Sequence, residues 1–226
     1  MKTVDSVCPL DCPDSCSIAV EVDGGRVVSI DGTPRNPVTG SYICAKVRRF
    51  PEAVHGPHRV ATPLRRTGDK GEGAFRPVSW DEALGEIAGR LRQVRDTHGG
   101  EAILPLFYGG SNGYLSQGTT DARLFRRLGA SRLARTVCSA PTGAASSGLY
   151  GNMAGVAYPD YARARLIVMW GVNPHASGIH ILPFVQRAQR TGAKVVVVDP
   201  RRTKLAARAD LHLAVRPGPI CPWPWP

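Results

Sequence analysis

The chain has 226 residues, of which 42% are hydrophobic and 21% charged, and its formal net charge at pH 7 is +11. This is the composition of a globular protein, and it argues against a disordered, collagen-like or coiled-coil chain. The longest apolar runs, such as Leu166–Trp170, are far too short to span a bilayer. The basic residues are scattered and not interleaved with aromatic residues, which disfavours a nucleic-acid binder, but a basic chain still suits an anionic partner such as a phosphorylated cofactor.

Residues 1–60 are predicted to form a small strand-and-loop domain that a metal could hold together. Ser17–Val22 and Arg26–Ile30 alternate or are β-branched, and Asp23-Gly24-Gly25 between them predicts a hairpin. The first residues contain neither an apolar stretch nor a twin arginine. No export signal is therefore expected, and the predicted location is cytoplasmic.

Four of the six cysteines lie in the first 44 residues, with the spacing Cys8-x3-Cys12-x3-Cys16-x27-Cys44. In a chain without an export signal, clustered cysteines indicate metal ligands before they indicate disulfides. Four thiolates suit either tetrahedral zinc or an iron–sulfur cubane. Three close cysteines with a remote fourth, and no histidine among them, favour an iron–sulfur cluster over zinc, disulfides or free thiols.

The rest of the chain predicts an α/β fold. Ser79 and Glu82 form a capping-box pattern at the start of a helix that ends at Gly99-Gly100. Beyond the apolar run Ala102–Phe107, strands and helices alternate, which is typical of a doubly wound parallel sheet. The predicted elements are helices at Leu115–Leu128 and Ile179–Arg190 and strands at Leu133–Val137, Leu166–Trp170 and Lys194–Val198.

Two loops that follow predicted strands carry residues suited to an anionic ligand. In the first loop, Gly171 permits close backbone approach, and Asn173 and Ser177 can bond a phosphate or a ribose. In the second, Arg201 or Arg202 can neutralise a pyrophosphate.

Each loop also has a purely structural interpretation. Asp199 could be a helix N-cap with Pro200 at the first helical position, and Asn173-Pro174 could be only a turn. Neither a G-x-G-x-x-G run after a strand nor a Walker lysine motif occurs, so ordinary NAD and ATP sites are not predicted.

Cys138 stands alone at the end of a predicted strand, before the small residues that follow from Ser139. It is either a buried small hydrophobic residue or a thiolate placed to bind a soft metal.

Together these motifs resemble the molybdopterin oxidoreductase family, the dimethyl sulfoxide reductase superfamily that includes formate dehydrogenases and periplasmic-type nitrate reductases. The resemblance covers residues 5–218, and the order and rough spacing of its motifs match. Those motifs are the Cys8–Cys16 run with Cys44-Ala45-Lys46, then Cys138-Ser139-Ala140-Pro141, Gly171-Val172-Asn173-Pro174 and Val198-Asp199-Pro200-Arg201.

The resemblance implies an electron path. It makes the first four cysteines ligands of a [4Fe-4S] cluster and Lys46 the lysine between cluster and pterin. It makes Cys138 the ligand of molybdenum or tungsten. Electrons would then pass between a small-molecule substrate at the metal and the cluster, and on to an electron-transfer partner, either ferredoxin-like or an iron–sulfur subunit.

The resemblance also implies a bis-molybdopterin guanine dinucleotide cofactor. It assigns cofactor-holding roles to the motif residues Gly171, Asn173, Asp199, Pro200 and Arg201, and Ser177 lies in the same first loop. Two departures affect the expected substrate and path: Ser139 replaces the histidine that formate dehydrogenases carry, and Val47 stands where many members have glycine.

The family's chains are much longer, so this chain is expected to be their N-terminal portion. The predicted domains are residues 1–60 for the [4Fe-4S] cluster, residues 61–218 for an incomplete molybdopterin-dinucleotide-binding α/β domain, and residues 219–226 as an aberrant tail. The alternating Pro-Trp tail suggests a frameshift near Gly218, which would leave Cys221 without a role. The alternative to an oxidoreductase is a non-catalytic iron–sulfur or zinc-binding fragment, inactive because it is truncated.

Overall fold

The computed structural model of the chain describes residues 1–107, 120–134, 139–153 and 155–217, in which sheets and helices are mixed. These residues divide into two units. One contains residues 1–52 and 155–217, and the other contains the described residues between 53 and 153. The predicted domains are consecutive ranges along the chain, and their boundaries stay a prediction.

The cysteine-rich segment is built on a three-stranded antiparallel sheet in the order β1-β2-β3, with β1 at Lys2–Val7, β2 at Ser17–Asp23 and β3 at Arg26–Gly32. The predicted hairpin is confirmed as β2–β3, and its turn glycines, Gly24 and Gly25, both adopt positive φ. The sequence reasoning did not predict β1. All six of its residues are exposed, so no alternation of buried and exposed side chains marks it.

A small core lies against this sheet and supports the cysteine-rich segment. Ile18, Ile30, Ile43 and Val47 are buried there together with Cys16. Val47 belongs to the short helix α1 (Ala45–Arg48), which is followed by α2 (Phe50–His55). The segment just before Cys44 passes close to Gly32, where an added Cβ would lie 2.5 Å from the backbone nitrogen of Tyr42.

The second unit pairs a short hairpin, β4 (Leu64–Arg66) with β5 (Phe75–Pro77), and continues into α3 (Trp80–His98). The predicted capping of α3 is confirmed, since the Ser79 hydroxyl accepts the Glu82 backbone N–H at 3.1 Å. Gly99, at a φ of 85°, ends the helix as expected. The unit also contains α4 (Thr120–Leu128) and α5 (Ser139–Tyr150).

The last part of the described chain forms a three-stranded parallel sheet. After α6 (Tyr158–Tyr161) come β6 (Leu166–Trp170), α7 (Leu182–Arg190), β7 (Lys194–Val198) and β8 (Leu211–Leu213), with the strands in the order β6-β7-β8. The predicted strand–helix–strand unit is thus confirmed, with Trp170 paired to Val198 at the carboxyl ends. One face packs on α7 through the buried side chains Ile167, Met169, Val185, Ala188, Val195 and Val197.

The middle of the chain departs from the predicted alternation. Gly100–Ala102 forms a 3-10 turn, and Ile103–Phe107 forms no regular element. Of the strand predicted at Leu133–Val137, only Leu133 and Ala134 are described, and they are not in a strand. The first residues of the helix predicted at Leu115–Leu128 lie outside the described residues. Among the described residues, no helix is both long enough and apolar enough to cross a bilayer.

Candidate functional site

The antiparallel sheet explains how three of the four clustered cysteines come together. Cys8 follows the end of β1 and Cys16 precedes β2, and the Cys8 backbone N–H donates to the Cys16 carbonyl at 2.8 Å. Cys12 lies in the connecting loop, where the Ser15 N–H donates to its carbonyl oxygen at 3.3 Å. Ser15 adopts a φ of 44°, which turns the chain back toward Cys16.

The remote cysteine, Cys44, packs against the same core as the other cysteines. Cys44 is the N-cap residue of α1, and it packs with Cys8 against the buried core around Cys16. Cys8, Cys12, Cys16 and Cys44 are all free thiols in this structure. No disulfide therefore joins these four cysteines, and their role as a joint set of metal ligands stays a prediction.

The electrostatics of the thiols fit a site for a positively charged metal group. Burial, and after it the charges of Asp14 and of the other three cysteines, raises the pKa of Cys16 to about 12. Burial also raises the pKa of Cys8, with Cys44 and Cys12 adding to the effect. Four thiolates this close repel one another, and bound iron or zinc would offset that repulsion. A donor set of four thiols suits an iron–sulfur cubane or zinc.

Lys46 connects the cysteine segment with the loop after β6. Lys46 lies in α1, two residues after Cys44, and its Nζ donates a hydrogen bond to the Ser177 hydroxyl. The sequence analysis gives Lys46 a role beside the cysteines and Ser177 a role in the first anion-suited loop. The structure brings these two residues together. The end of the cysteine segment and the first anion-suited loop are therefore adjacent.

The two loops after β6 and β7 lie side by side, because the strands are parallel neighbours. Gly171 adopts a φ of 64°, and its N–H donates to the Val198 carbonyl at 2.8 Å. The Asn173 carbonyl accepts the N–H groups of Ala176 and Ser177. The Asn173 side chain accepts the His175 N–H at 3.3 Å, so this loop is a hydrogen-bonded turn as well as a candidate ligand loop.

The second loop is organised by Asp199. Its carboxylate accepts the Arg201 N–H at 2.7 Å, and its carbonyl oxygen accepts from the His212 ring at 2.9 Å. The helix-cap alternative is wrong, because the next helical turn in this described segment is the 3-10 turn Ala206–Arg208. Pro200 and the Arg201 side chain are exposed, so the guanidinium can reach an anion.

A buried polar group that the sequence reasoning missed lies beside Cys16. Asp14 and His180 are both buried, and the His180 Nδ1 lies 2.8 Å from an Asp14 carboxylate oxygen and 3.8 Å from the Cys16 sulfur. The other Asp14 oxygen accepts from the Tyr158 hydroxyl at 2.6 Å. The sequence offers one signal for it, because His180 stands between two isoleucines, Ile179 and Ile181.

Two other residues of interest, Cys138 and Cys221, lie outside the described residues. The small residues that follow Cys138 form α5, which begins at Ser139. The role of Cys138 as a metal ligand stays a prediction.

Comparisons with protein-family models give two matches. The model described as molybdopterin oxidoreductase Fe4S4 domain matches residues 1–56. The model described as molybdopterin oxidoreductase matches residues 59–222. The two matches follow one another along the chain and cover most of it.

Individual relatives agree with these matches. The probable oxidoreductase YoaE of Bacillus subtilis is 38% identical over 213 residues, which are 94% of this chain and 31% of that protein. Formate dehydrogenase H of Escherichia coli is 31% identical over 227 residues, 96% of this chain and 31% of its own. The solved structure of acetylene hydratase from Pelobacter acetylenicus superposes with a TM-score of 0.71 at 27% identity, covering 95% of this chain and 29% of that one. The chain thus spans about 30% of the length of these relatives.

Proposed function

The chain belongs to the molybdopterin oxidoreductase family, and on this basis we propose that it carries the electron-transfer region of such an oxidoreductase. The observation that carries the proposal is the hydrogen bond from Lys46 to Ser177. It joins the segment of four cysteines to a loop at the carboxyl end of a parallel strand, where dinucleotides bind in open α/β sheets. A single chain region that holds both a metal-thiolate group and a dinucleotide suits the transfer of electrons between them.

The proposed cluster ligands are Cys8, Cys12, Cys16 and Cys44. When bound, a [4Fe-4S] cluster accepts and releases single electrons. The residues around it hold the thiolates in place: the hydrogen bond between Cys8 and Cys16 fixes two of them, and α1 presents Cys44. Ile18, Ile30 and Val47 exclude water from one side of the group.

The two loops are the proposed cofactor-holding segments. Gly171, Asn173 and Ser177 offer close backbone approach and polar contacts, and Arg201 offers a cation for a phosphate. The Asp199 carboxylate can accept from the N–H donors of guanine, with Pro200 stiffening its turn. A bis-molybdopterin guanine dinucleotide is the cofactor of this proposal, with Cys138 as the ligand of molybdenum or tungsten. The doubly wound sheet of an incomplete dinucleotide-binding domain belongs to the same proposal, supported by the parallel order β6-β7-β8.

The activity of the whole protein is a further step of the proposal. It passes electrons between a small-molecule substrate at the metal and the cluster, with Lys46 between cluster and pterin, and then to a ferredoxin-like or iron–sulfur partner. The second candidate function is a non-catalytic iron–sulfur or zinc-binding fragment. The observation that favours it is the donor set, since four free thiols in one segment suit zinc as well as an iron–sulfur cubane.

Anaerobic reconstitution of the full chain with iron and sulfide tests the proposed ligands. We expect about four iron atoms per chain, as a [4Fe-4S] group requires, and a brown protein solution. Cys44→Ser should lose most of this iron, and the matched control Cys138→Ser should keep it because Cys138 is not a proposed cluster ligand. A colourless chain that retains one zinc in place of iron would contradict the cluster and support the zinc alternative.

A further inference from the structure

Three side chains of the kinds that bind metal ions meet in the interior: a carboxylate, a thiol and an imidazole. Asp14, Cys16 and His180 are 7%, 7% and 0% exposed, and their ligand atoms all lie within 4.8 Å of one another. The His180 Nδ1 lies 2.8 Å from an Asp14 carboxylate oxygen and 3.8 Å from the Cys16 sulfur. The tertiary fold brings the set together, because 164 positions separate Cys16 from His180.

These distances are close to those of a site for a single zinc ion. Zinc binds sulfur at about 2.3 Å and nitrogen or carboxylate oxygen at about 2.0–2.2 Å, with its ligands at the corners of a tetrahedron. Such bond lengths place neighbouring ligand atoms about 3.3–3.7 Å apart. The two observed distances lie within about 0.5 Å of this range, so small side-chain rotations suffice to admit the ion.

The residues around the three side chains also fit a metal site. A histidine that binds a metal through one ring nitrogen usually donates its other N–H to a carbonyl or a carboxylate, which fixes the ring. The His180 Nε2 has such a partner in the Tyr42 carbonyl oxygen, at 3.0 Å, and Nδ1 is the nitrogen that faces Asp14 and Cys16. The Tyr42 ring packs on the imidazole with 4.1 Å between the ring centroids, which restricts the ring further.

The carboxylate is oriented in the same manner. The Asp14 Oδ1 accepts from the Tyr158 hydroxyl at 2.6 Å, which leaves Oδ2 toward His180 Nδ1. Oδ2 also lies 3.4 Å from the His180 backbone nitrogen. Ligating carboxylates are commonly held by such outer hydrogen bonds. One oxygen, one sulfur and one nitrogen are thus presented to the same point, each on a side chain that its neighbours hold in place.

We propose that Asp14, Cys16 and His180 form a site for a single divalent ion of the zinc type, which the chain fills when it carries no iron–sulfur cluster. Sulfur and imidazole donors with a carboxylate suit zinc and cobalt. Three protein ligands leave a fourth position, which water takes in zinc sites of this kind. The proposal does not rest on the proposed function, because it requires none of the other clustered cysteines. Since Cys16 belongs to both ligand sets, the single ion and the cluster exclude one another.

The first test removes the other cysteines. The variant Cys8→Ser/Cys12→Ser/Cys44→Ser lacks three of the proposed cluster ligands and retains all three ligands of this site. We expect it to bind one Zn²⁺ per chain in an anaerobic titration against a chelator, and one Co²⁺ with a thiolate-to-cobalt absorption band. A folded triple variant that binds no zinc overturns the proposal.

Single substitutions added to this triple variant identify the ligands. His180→Gln removes a ligand and should weaken zinc binding by more than about 100-fold, beyond the range typical of losing an outer hydrogen bond. Tyr158→Phe removes only the hydrogen bond to Asp14 and should weaken zinc binding by about tenfold. His175→Gln is the matched control, because His175 is an exposed histidine of the same segment. Zinc affinity that His180→Gln leaves unchanged overturns the proposal.

The unaltered metal-free chain provides a second measurement, which does not depend on the folding of the triple variant. X-ray absorption of its bound zinc should show one sulfur neighbour together with nitrogen or oxygen neighbours. His180→Gln should lower zinc binding, and Cys44→Ser should not. Zinc held by four sulfurs, lost in Cys44→Ser and kept in His180→Gln, overturns the proposal.

Iron and sulfide separate this proposal from the proposed function. Zinc added before iron and sulfide should reduce cluster assembly, because Cys16 is shared, and His180→Gln should restore it. If the unaltered chain assembles no cluster but binds zinc through His180, the proposed function fails and this inference stands. If it assembles the cluster and the metal-free chain binds no zinc through His180, this inference fails alone.

Discussion

Lys46 donates a hydrogen bond to the hydroxyl of Ser177, although 131 positions separate the two residues in the chain. The bond joins the helix that begins at Cys44 to the loop that follows β6. Lys46 lies two residues after Cys44, a proposed cluster ligand, and its bond to the Ser177 hydroxyl restricts the flexible lysine side chain.

This contact predicts energetic coupling between the two side chains. Lys46→Ala and Ser177→Ala should each lower the free energy of unfolding slightly, since a net hydrogen bond contributes about 1 kcal/mol. The double variant should cost less than the sum of the two, by about 0.5–1 kcal/mol. Urea unfolding of the four chains measures the difference, and Lys70→Ala combined with Ser177→Ala is the additive control. Strict additivity of Lys46 and Ser177 would contradict the contact.

The raised pKa of Cys16 predicts how the metal-free chain depends on pH. The thiol has an ordinary pKa of 9.0 when unfolded and about 12 when folded, so the folded state favours the protonated form. Its contribution to stability is full below pH 9 and is lost as the pH rises from 9 toward 12. Urea unfolding between these pH values should show a steeper loss in the unaltered chain than in Cys16→Ala. Equal slopes would mean that Cys16 is not buried as described.

The same burial predicts slow alkylation. In the metal-free chain, iodoacetamide should label Cys16 about tenfold faster for each unit of pH up to about 12, because only the thiolate reacts. Mass spectrometry of the Cys16 peptide measures the rate. A rate that reaches its plateau near pH 9 would contradict the raised pKa.

The close approach of Ser41 and Tyr42 to Gly32 predicts that position 32 tolerates no side chain. A Cβ at this position would lie 2.5 Å from the Tyr42 nitrogen and 2.6 Å from the Ser41 carbonyl carbon, so the segment leading to Cys44 would have to move. Gly32→Ala should therefore lower stability by about 1–3 kcal/mol, as overpacking does, and reduce iron uptake. Gly85→Ala is the control. It lies in α3 with open space around it and should raise stability by about 0.5–1 kcal/mol.

The Asp199 loop predicts a preference for guanine. GDP should bind more tightly than ADP, because guanine presents N–H donors to a carboxylate, and such bonds contribute about 1.5–3 kcal/mol. Asp199→Asn should keep the turn to Arg201 and lose the preference, while Arg201→Ala should weaken both nucleotides alike. Isothermal titration calorimetry with the two diphosphates measures this, with Asp96→Asn as an exposed acidic control. Equal binding of GDP and ADP by the unaltered chain would remove the proposed role of Asp199.

Local patterns carried much of the fold. The hairpin around Gly24-Gly25, the Ser79 cap and the strands Leu166–Trp170 and Lys194–Val198 were all predicted with bounds within two residues of the structure. These features depend on neighbours a few positions apart, so periodicity and turn residues reveal them. The strand β1 escaped prediction because all six of its residues are exposed, and β8 because three residues are too few to reveal a period of two.

The candidate site also contains features that short motifs reveal and features that depend on distant parts of the chain. The sequence by itself determined the set of four cysteines, the two strand-end loops and the family resemblance, because each is written in a short motif. Only the tertiary structure decided that Lys46 meets Ser177 and that Asp14 and His180 form a buried pair beside Cys16. The physical reason is that these contacts join segments 131 and 166 positions apart, and packing of sheet, loop and helix, not any local propensity, brings those side chains within hydrogen-bond distance.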